Sequence, residues 1–370
     1  MNINHYIDEL ETLVNVDCGT QTVSGVAQVA GTLAGLWRQE GWHVTEVDLG
    51  DAVGPGLLVT NQPQATHYDV LLVGHLDTVF PVGTVAERPL KRDYTCLYGP
   101  GVSDMKSGLL NILWAMRGLS AADKNRLSIA VAMNPDEETG SVHSEAWLGG
   151  LARNARVVLV CEAARADGSL VKARKGLAGY QLTFKGVAAH AGNDPDKGRS
   201  AITALAKAVL AINALADPAR GTTLNMGVVK GGSASNVVAD HATAELDLRY
   251  WQNSEYDRVH AQLETLCEQG FLDGVTTTLR RLNYKPAMAV SGETASLMML
   301  VEKAGAAEKV PVSWQAVGGG SDANHIAALG IPTLDGFGPV GAGFHSPAEW
   351  LDIASIEPRI RLLKRVVSML

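Results

Sequence analysis

The chain has 370 residues, 46% of them hydrophobic and 19% charged, a composition that excludes disordered and collagen-like chains and suffices for about two domains. Its formal net charge of −8, from 31 basic and 39 acidic residues, comes without any Lys/Arg cluster. Nucleic acid and anionic membrane surfaces are therefore not expected as partners, and a small molecule is. No apolar run approaches the roughly eighteen residues of a membrane span. Cys18, Cys96, Cys161 and Cys267 show no ligand spacing and read as buried thiols, not as a disulfide framework or a cysteine zinc site. The start, Met1-Asn2-Ile3-Asn4-His5, has no basic cluster, apolar segment or Ala-x-Ala, so no secretory signal is expected and the cytoplasm is the default compartment.

Along the chain, Val26, Val29, Leu33 and Leu36 recur at helical spacing. Residues 69 to 77 (DVLLVGHLD), 126 to 134 (RLSIAVAMN) and 155 to 162 (ARVVLVCE) then read as strands buried on both faces, since all but their ends are apolar. Leu109, Ile112, Leu113 and Met116 mark a helix between the first two. This alternation is an α/β signature. From about 179 to 285 the strands alternate in polarity, as in Ala242, Ala244, Leu246 and Leu248, and two amphipathic helices carry Ile202, Leu205, Val209, Ile212 and Tyr256, Val259, Leu263, Leu266. That pattern predicts an α+β layer with one wet sheet face. The α/β style returns after about 287, with helices around 293 to 304 and 356 to 369. A larger domain of residues 1–177 and 288–370 interrupted by a small inserted domain, 178–287, is the resulting expectation.

Several polar clusters fall at the strand ends. Gly74-His75-Leu76-Asp77-Thr78 places an imidazole and a carboxylate two residues apart, hence on one side of an extended chain, and a metal-bound histidine commonly leans on such a carboxylate. The bland alternative is a histidine that is merely hydrogen-bonded. Asp104, in Gly99-Pro100-Gly101-Val102-Ser103-Asp104-Met105-Lys106-Ser107-Gly108, is either a helix cap or a group bridging two cations. Asp136-Glu137-Glu138 puts adjacent carboxylates after a buried strand, where they repel unless solvent or cations compensate; an exposed acidic turn is the competing reading. Glu162 ends an apolar strand, and His345 sits in a small-residue loop, Gly341-Ala342-Gly343-Phe344-His345-Ser346-Pro347. Together, imidazoles and carboxylates at several strand ends of one sheet converge in the crevice where such folds bind ligands. Their donor set suits zinc, and also cobalt or manganese.

The order HLDT, GxxDMKxG, DEETGS, Glu162 and a late loop histidine resembles the di-zinc metallopeptidase family that includes acetylornithine deacetylase, succinyl-diaminopimelate desuccinylase, aminoacylase and glutamate carboxypeptidase. The resemblance runs from about residue 70 to 350. It implies a zinc-peptidase-like α/β catalytic domain with a mixed sheet flanked by helices, and an inserted lid or dimerisation domain with a four-stranded antiparallel sheet and two helices. It further implies two zinc ions per chain, one held by His75 and Glu162, the other by Glu138 and His345, with Asp104 bridging them through a turn whose 104–105 peptide is cis. Asp77 would orient His75, and Glu137 would serve as general base and later acid toward a metal-activated water. Gly186-Val187-Ala188-Ala189-His190-Ala191-Gly192 resembles the family's lid motif, whose histidine reaches a partner subunit's active site, which implies a homodimer.

Asn236 and Arg249 match family positions near the substrate, with an ion pair to Glu245 or Asp247 as the plainer account of Arg249. Gly319 and Gly320 match a pocket-lining loop whose plainer account is a turn needing positive φ. The implied activity is hydrolysis of a peptide or N-acyl amide to release a free amino acid, closest to the glutamate carboxypeptidase branch. N-acyl-amino-acid deacylation is the alternative, and a non-catalytic ligand-binding relative is a third reading that the intact Glu137 argues against.

Overall fold

A computed structural model describes residues 1–370. The chain divides into two compact units, one of Met1–Ala173, Val290–Val317 and Ser321–Leu370, the other of Arg174–Ala289 with Gly318–Gly320. No helix is long and apolar enough to cross a membrane.

The first unit is built on a six-stranded mixed sheet in the order 43–47, 56–60, 129–134, 70–75, 158–160, 333–334. The first two strands pair antiparallel, and Gly56–Thr60 pairs antiparallel with Ile129–Asn134. The remaining pairs are parallel. Every residue of Val70–His75 and Ile129–Asn134 is buried, as their continuous apolar runs require. Leu72, Val131 and Leu159 share one core with Val26, Val29 and Leu33 of helix Val23–Gln39, Leu109, Ile112 and Leu113 of helix Ser107–Arg117, and Leu362, Leu363 and Val366 of helix Ile353–Ser368.

Parallel register sets the strand ends side by side. His75 lies opposite Asn134, and Val73 opposite Val160, so His75, the 136–138 turn and Glu162 all leave the same edge of the sheet. Close backbone approach completes the arrangement. A Cβ on Gly108 would lie 2.1 Å from the Cys161 carbonyl oxygen, and one on Gly74 would lie 2.5 Å from Met105 Cε. Glycine at both positions lets the turn bearing Asp104 seat against two strand ends.

The second unit is a four-stranded antiparallel sheet in the order 223–231, 241–250, 176–185, 276–285, with helices Ala201–Asn213 and Asn253–Gln269. Strand His241–Tyr250 alternates as expected: Ala242, Ala244, Leu246, Leu248 and Tyr250 are buried. Ala242, Leu246, Leu248 and Tyr250 pack with Tyr180, Leu182 and Phe184 and with Ala204, Ala208, Ile212, Val259 and Leu263 of the helices.

Some elements were not anticipated. Helix Ile3–Val14 buries Tyr6, Leu10, Leu13 and Val14, and an antiparallel sheet of residues 341–342, 350–352, 96–98 and 91–92 has strands too short to leave a periodic signature. Cys96, expected to be buried, is only half-buried, because it lies on one of those short strands; Cys18, Cys161 and Cys267 are buried.

Gly108→Ala should destabilise the protein by about 1–3 kcal/mol in urea unfolding, as overpacking against backbone does. Gly31→Ala, with open space around the new methyl group inside helix Val23–Gln39, should instead raise stability by roughly 0.5–1 kcal/mol. Equal effects of the two would contradict the packing described.

Candidate active site

His75 closes its strand and is 1% exposed. Its Nδ1 lies 3.0 Å from the Asp77 backbone oxygen and 3.3 Å from Asp77 Oδ1, which leaves Nε2 to face Asp104 Oδ1 at 3.1 Å and Glu162 Oε1 at 3.5 Å. The second oxygen of Asp104 points the other way: Oδ2 is 3.1 Å from His345 Nε2, which is also 3.1 Å from Glu138 Oε2. Two groups therefore form, His75–Asp104–Glu162 and Asp104–Glu138–His345, each with its ligand atoms within 4.8 Å of one another. Asp104 belongs to both. The Asp104–Met105 peptide is cis, as the resemblance implies.

Asp77 holds more than the imidazole. Its Oδ1 accepts the Glu137 N–H and its Oδ2 the Glu138 N–H, both at 3.2 Å, and the Thr20 hydroxyl donates to Oδ2 at 2.6 Å. One carboxylate thus fixes His75 and the turn that carries Glu137 and Glu138. Asp136 acts within that turn: its carboxylate accepts from His143 N–H and the Ser144 hydroxyl, and its carbonyl from Ser141 N–H. The acidic run is therefore divided by occupation of its oxygens, with Asp136 holding the loop and Glu138 facing His345. Glu137 is buried and belongs to neither ligand group.

Burial and crowded carboxylates set the electrostatics of this cluster. Burial works against a charged His75, yet Glu162, Asp104 and Asp77 hold its pKa well above the usual histidine range. Hydrogen bonds to Asp104 and Glu138 push His345 up to about 10. Burial pushes Glu162 up to about 8 and also raises Glu138. Asp104 alone is driven below the ordinary range, since its bonds to His345 and His75 outweigh the opposing effect of burial. By themselves these groups would hold extra protons to offset the crowded carboxylates. Divalent cations can replace those protons, and a set of two imidazoles and three carboxylates fits zinc, cobalt or manganese.

The second unit carries the other residues singled out in the sequence. His190 Nδ1 accepts N–H bonds from Gly192 and Asn193, both at 3.1 Å, so the ring proton resides on Nε2. Ala191 N–H donates to the Asn236 carbonyl and Val238 N–H to the Ala189 carbonyl, which ties the His190 and Asn236 loops together. Arg249 Nε donates to both carboxylate oxygens of Asp247, at 2.9 and 3.1 Å, the ion pair given as its plainer account. Its Nη1 donates to the Gly318 carbonyl at 3.4 Å. Gly319 and Gly320 do not have positive φ, so the strained-turn explanation of these glycines is corrected. A Cβ on Gly319 would meet nothing within 4 Å, so local crowding does not account for it.

Sequence reasoning missed Thr20, Glu349 and Arg359. Arg359 is 4% exposed and donates to the carbonyls of Gly338, Gly336 and Gly168, while Gly338 N–H donates to the Glu162 carbonyl. Burial draws this guanidinium down to about 10. The only available signal was a charged side chain in an otherwise apolar helix face. Glu349, between Pro347 and Trp350, accepts the N–H groups of Gly101, Ser103 and Asp104. Asp77→Asn should lower metal affinity by roughly 10–100-fold in a chelator-competition titration, with an unchanged far-UV spectrum; wild-type affinity would show that the Asp77 contacts do not matter to the ligands.

Residues 172–275 match the family profile described as a peptidase dimerisation domain. The chain is 31% identical over 368 residues to carboxypeptidase G2 of Pseudomonas sp. (strain RS-16), covering 98% of this chain and 88% of that one. It is 30% identical over 338 residues to a succinyl-diaminopimelate desuccinylase of Acidovorax ebreus (strain TPSY), covering 84% and 83%. Among solved structures, aminopeptidase PepT from Bacillus cereus superposes with a TM-score of 0.83 at 24% identity, over 100% of this chain and 99% of that one. With full-length similarity to a carboxypeptidase, two adjoining ligand groups and a dimerisation-domain match, the chain belongs to the M20 family of metal-dependent peptidases and deacylases and is a hydrolase.

Proposed function

We propose that this hydrolase is a two-zinc carboxypeptidase that cleaves a peptide-like amide and releases a glutamate-like amino acid in the cytoplasm. The observation that carries the reading is Asp104 shared between two three-residue ligand groups, with the buried Glu137 in the adjoining turn. His75 and Glu162 would hold one cation, Glu138 and His345 the other, and Asp104 both. Bound there, the cations would supply Lewis acidity toward the scissile carbonyl and toward an attacking water.

The chain's own residues account for the remaining chemistry. Glu137, held by its backbone N–H to Asp77, takes the proton from the attacking water and returns it to the departing nitrogen. His190 presents Nε2–H as a donor for the developing oxyanion, a role suited to a preorganised group and assigned to the site of a partner chain. Arg249 and Asn236, with the Gly319 and Gly320 loop, are assigned to the substrate's free carboxylate, for which a guanidinium is suited by its two parallel donors. Asp247 would then hold Arg249 in place. The likeness to carboxypeptidase G2 supports release of a C-terminal amino acid. The desuccinylase relative supports a second reading, deacylation of an N-acyl amino acid by the same groups.

A homodimer is part of the proposal. Strand Thr223–Gly231 is an edge of its sheet and exposes Val228 and Val229; helix Ala201–Asn213, packed against it, exposes Ile202 and, at 75%, Leu210. An unpaired edge beside exposed apolar side chains is suited to pairing with a second copy.

The test is amino-acid release from N-acyl and N-peptidyl glutamates, aspartates and neutral amino acids by zinc-loaded protein. Chelator-sensitive release confined to acidic products is expected; preference for a simple N-acyl group would favour the deacylase, and no release from any substrate would refute both. Glu137→Gln should retain metal yet lose roughly 10²–10⁴ in kcat, whereas near-normal turnover would remove Glu137 from the mechanism. In sedimentation, Leu210→Glu should shift a dimer toward monomer, and a wild type that is monomeric and fully active would contradict the dimer.

A further inference from the structure

Glu349 follows His345 by four residues and belongs to neither ligand group. Its side chain is buried, 1% exposed, a costly place for a carboxylate unless hydrogen bonds replace water. Three backbone donors do so: Gly101 N–H reaches Oε2 at 2.9 Å, and Ser103 and Asp104 N–H reach Oε1 at 2.8 and 3.0 Å. All three belong to the turn that presents Asp104. The Ser103 hydroxyl adds a bond to the Trp350 carbonyl at 2.6 Å.

The other end of this link is the His345 loop itself. Glu349 N–H donates to the Ser346 carbonyl, Ala348 N–H to the Ser346 hydroxyl, and that hydroxyl to the Gly343 carbonyl at 2.7 Å. Gly343, at φ +75°, packs so closely that a Cβ would lie 2.4 Å from the Ala348 carbonyl oxygen. The segment from Gly343 to Glu349 is thus a closed unit. It carries His345 on one side and the carboxylate that holds the Asp104 turn on the other.

The first group shares Asp104, but its other members, His75 and Glu162, are tied differently. Met105 Sδ lies 3.2 Å from His75 N, Gly108 packs on the Cys161 carbonyl, and Arg359 secures the segment bonded to Glu162. None of these ties passes through Glu349.

We propose that Glu349 is a positioning residue that sets Asp104 against His345, so that the Asp104–Glu138–His345 site depends on it for affinity more than the His75–Asp104–Glu162 site, which shares Asp104 but has ties of its own. The inference rests on the reading that both groups hold cations. Both carboxylate oxygens accept backbone N–H, so the amide of Glu349→Gln, in either orientation, sets a donor against a donor.

Full-length protein stripped of metal is titrated with Co2+, following visible absorption and bound stoichiometry, with His345→Ala marking the phase that belongs to the second site. A wild type that takes up fewer than two equivalents overturns the two-metal reading and the proposal with it. Given two, Glu349→Gln should weaken the His345-dependent equivalent at least about tenfold more than it weakens the other. Glu349→Asp, which keeps the charge but is one methylene short, should fall between. Far-UV circular dichroism of the apo variants shows whether they fold. Equal weakening of both equivalents, wild-type titration by both variants, or failure of both variants to fold would each overturn the proposal.

Discussion

The site depends on how much negative charge a buried sheet edge can hold. Asp77 and Asp104 stand around His75, and Glu138 and Glu162 complete the two groups. Carboxylates so close together cannot all remain ionised without positive charge among them. The chain meets this constraint by using its acidic groups in two ways. Asp77, Asp136 and Glu349 have their oxygens turned to backbone N–H groups and hydroxyls, which offsets part of the cost of burial; for Glu349 burial still outweighs those bonds and pushes the carboxyl up to about 7. Asp104, Glu138 and Glu162 face imidazole nitrogens across gaps of 3.1 to 3.5 Å, where cations can take up the charge.

The scaffold converts chain order into this geometry through backbone contacts. Parallel pairing aligns the ends of three strands, and glycine at 74 and 108 lets the Asp104 turn sit against them. His345 arrives from 241 residues further along the chain. Its loop is closed on itself and joined to the Asp104 turn by hydrogen bonds, so the member of the cluster farthest away in sequence is held to Asp104 by a short mechanical path. Asp77 does the same for the His75 strand and the Glu137–Glu138 turn.

The second unit follows a different economy of design. Both helices cover its sheet through a core of aromatic, leucine and alanine side chains, while the strand at one edge stays unpaired and exposes Val228 and Val229. Its loop chemistry is set by backbone donors: two N–H groups on His190 Nδ1 decide which ring nitrogen carries the proton. Arg249 illustrates that a substrate-facing assignment and a structural ion pair need not exclude each other. A guanidinium anchored through Nε by Asp247, with Nη1 turned to the Gly318 carbonyl, still has further N–H donors on its terminal nitrogens for recognition.

Much of this was legible in the sequence because it is written in local patterns. Continuous apolar runs announced the buried strands, alternation announced the antiparallel sheet, and polar residues at the strand ends announced His75, Glu138 and Glu162. The helix Ile3–Val14 and the two- and three-residue strands escaped notice, since short or weakly contrasted segments leave little periodicity. The roles of Thr20, Glu349 and Arg359 were beyond reach for another reason. Each acts on backbone groups far along the chain, and nothing in a residue's own neighbourhood records which distant N–H or carbonyl it will meet. By itself the sequence determined the class of fold and the types of side chain gathered at the strand ends, because hydrophobic period and donor chemistry are properties of nearby residues. Only the tertiary structure decided that Asp104 divides its two oxygens between His75 and His345 and that Asp136 turns inward to its own loop, because those choices follow from register and close packing between segments far apart in the chain.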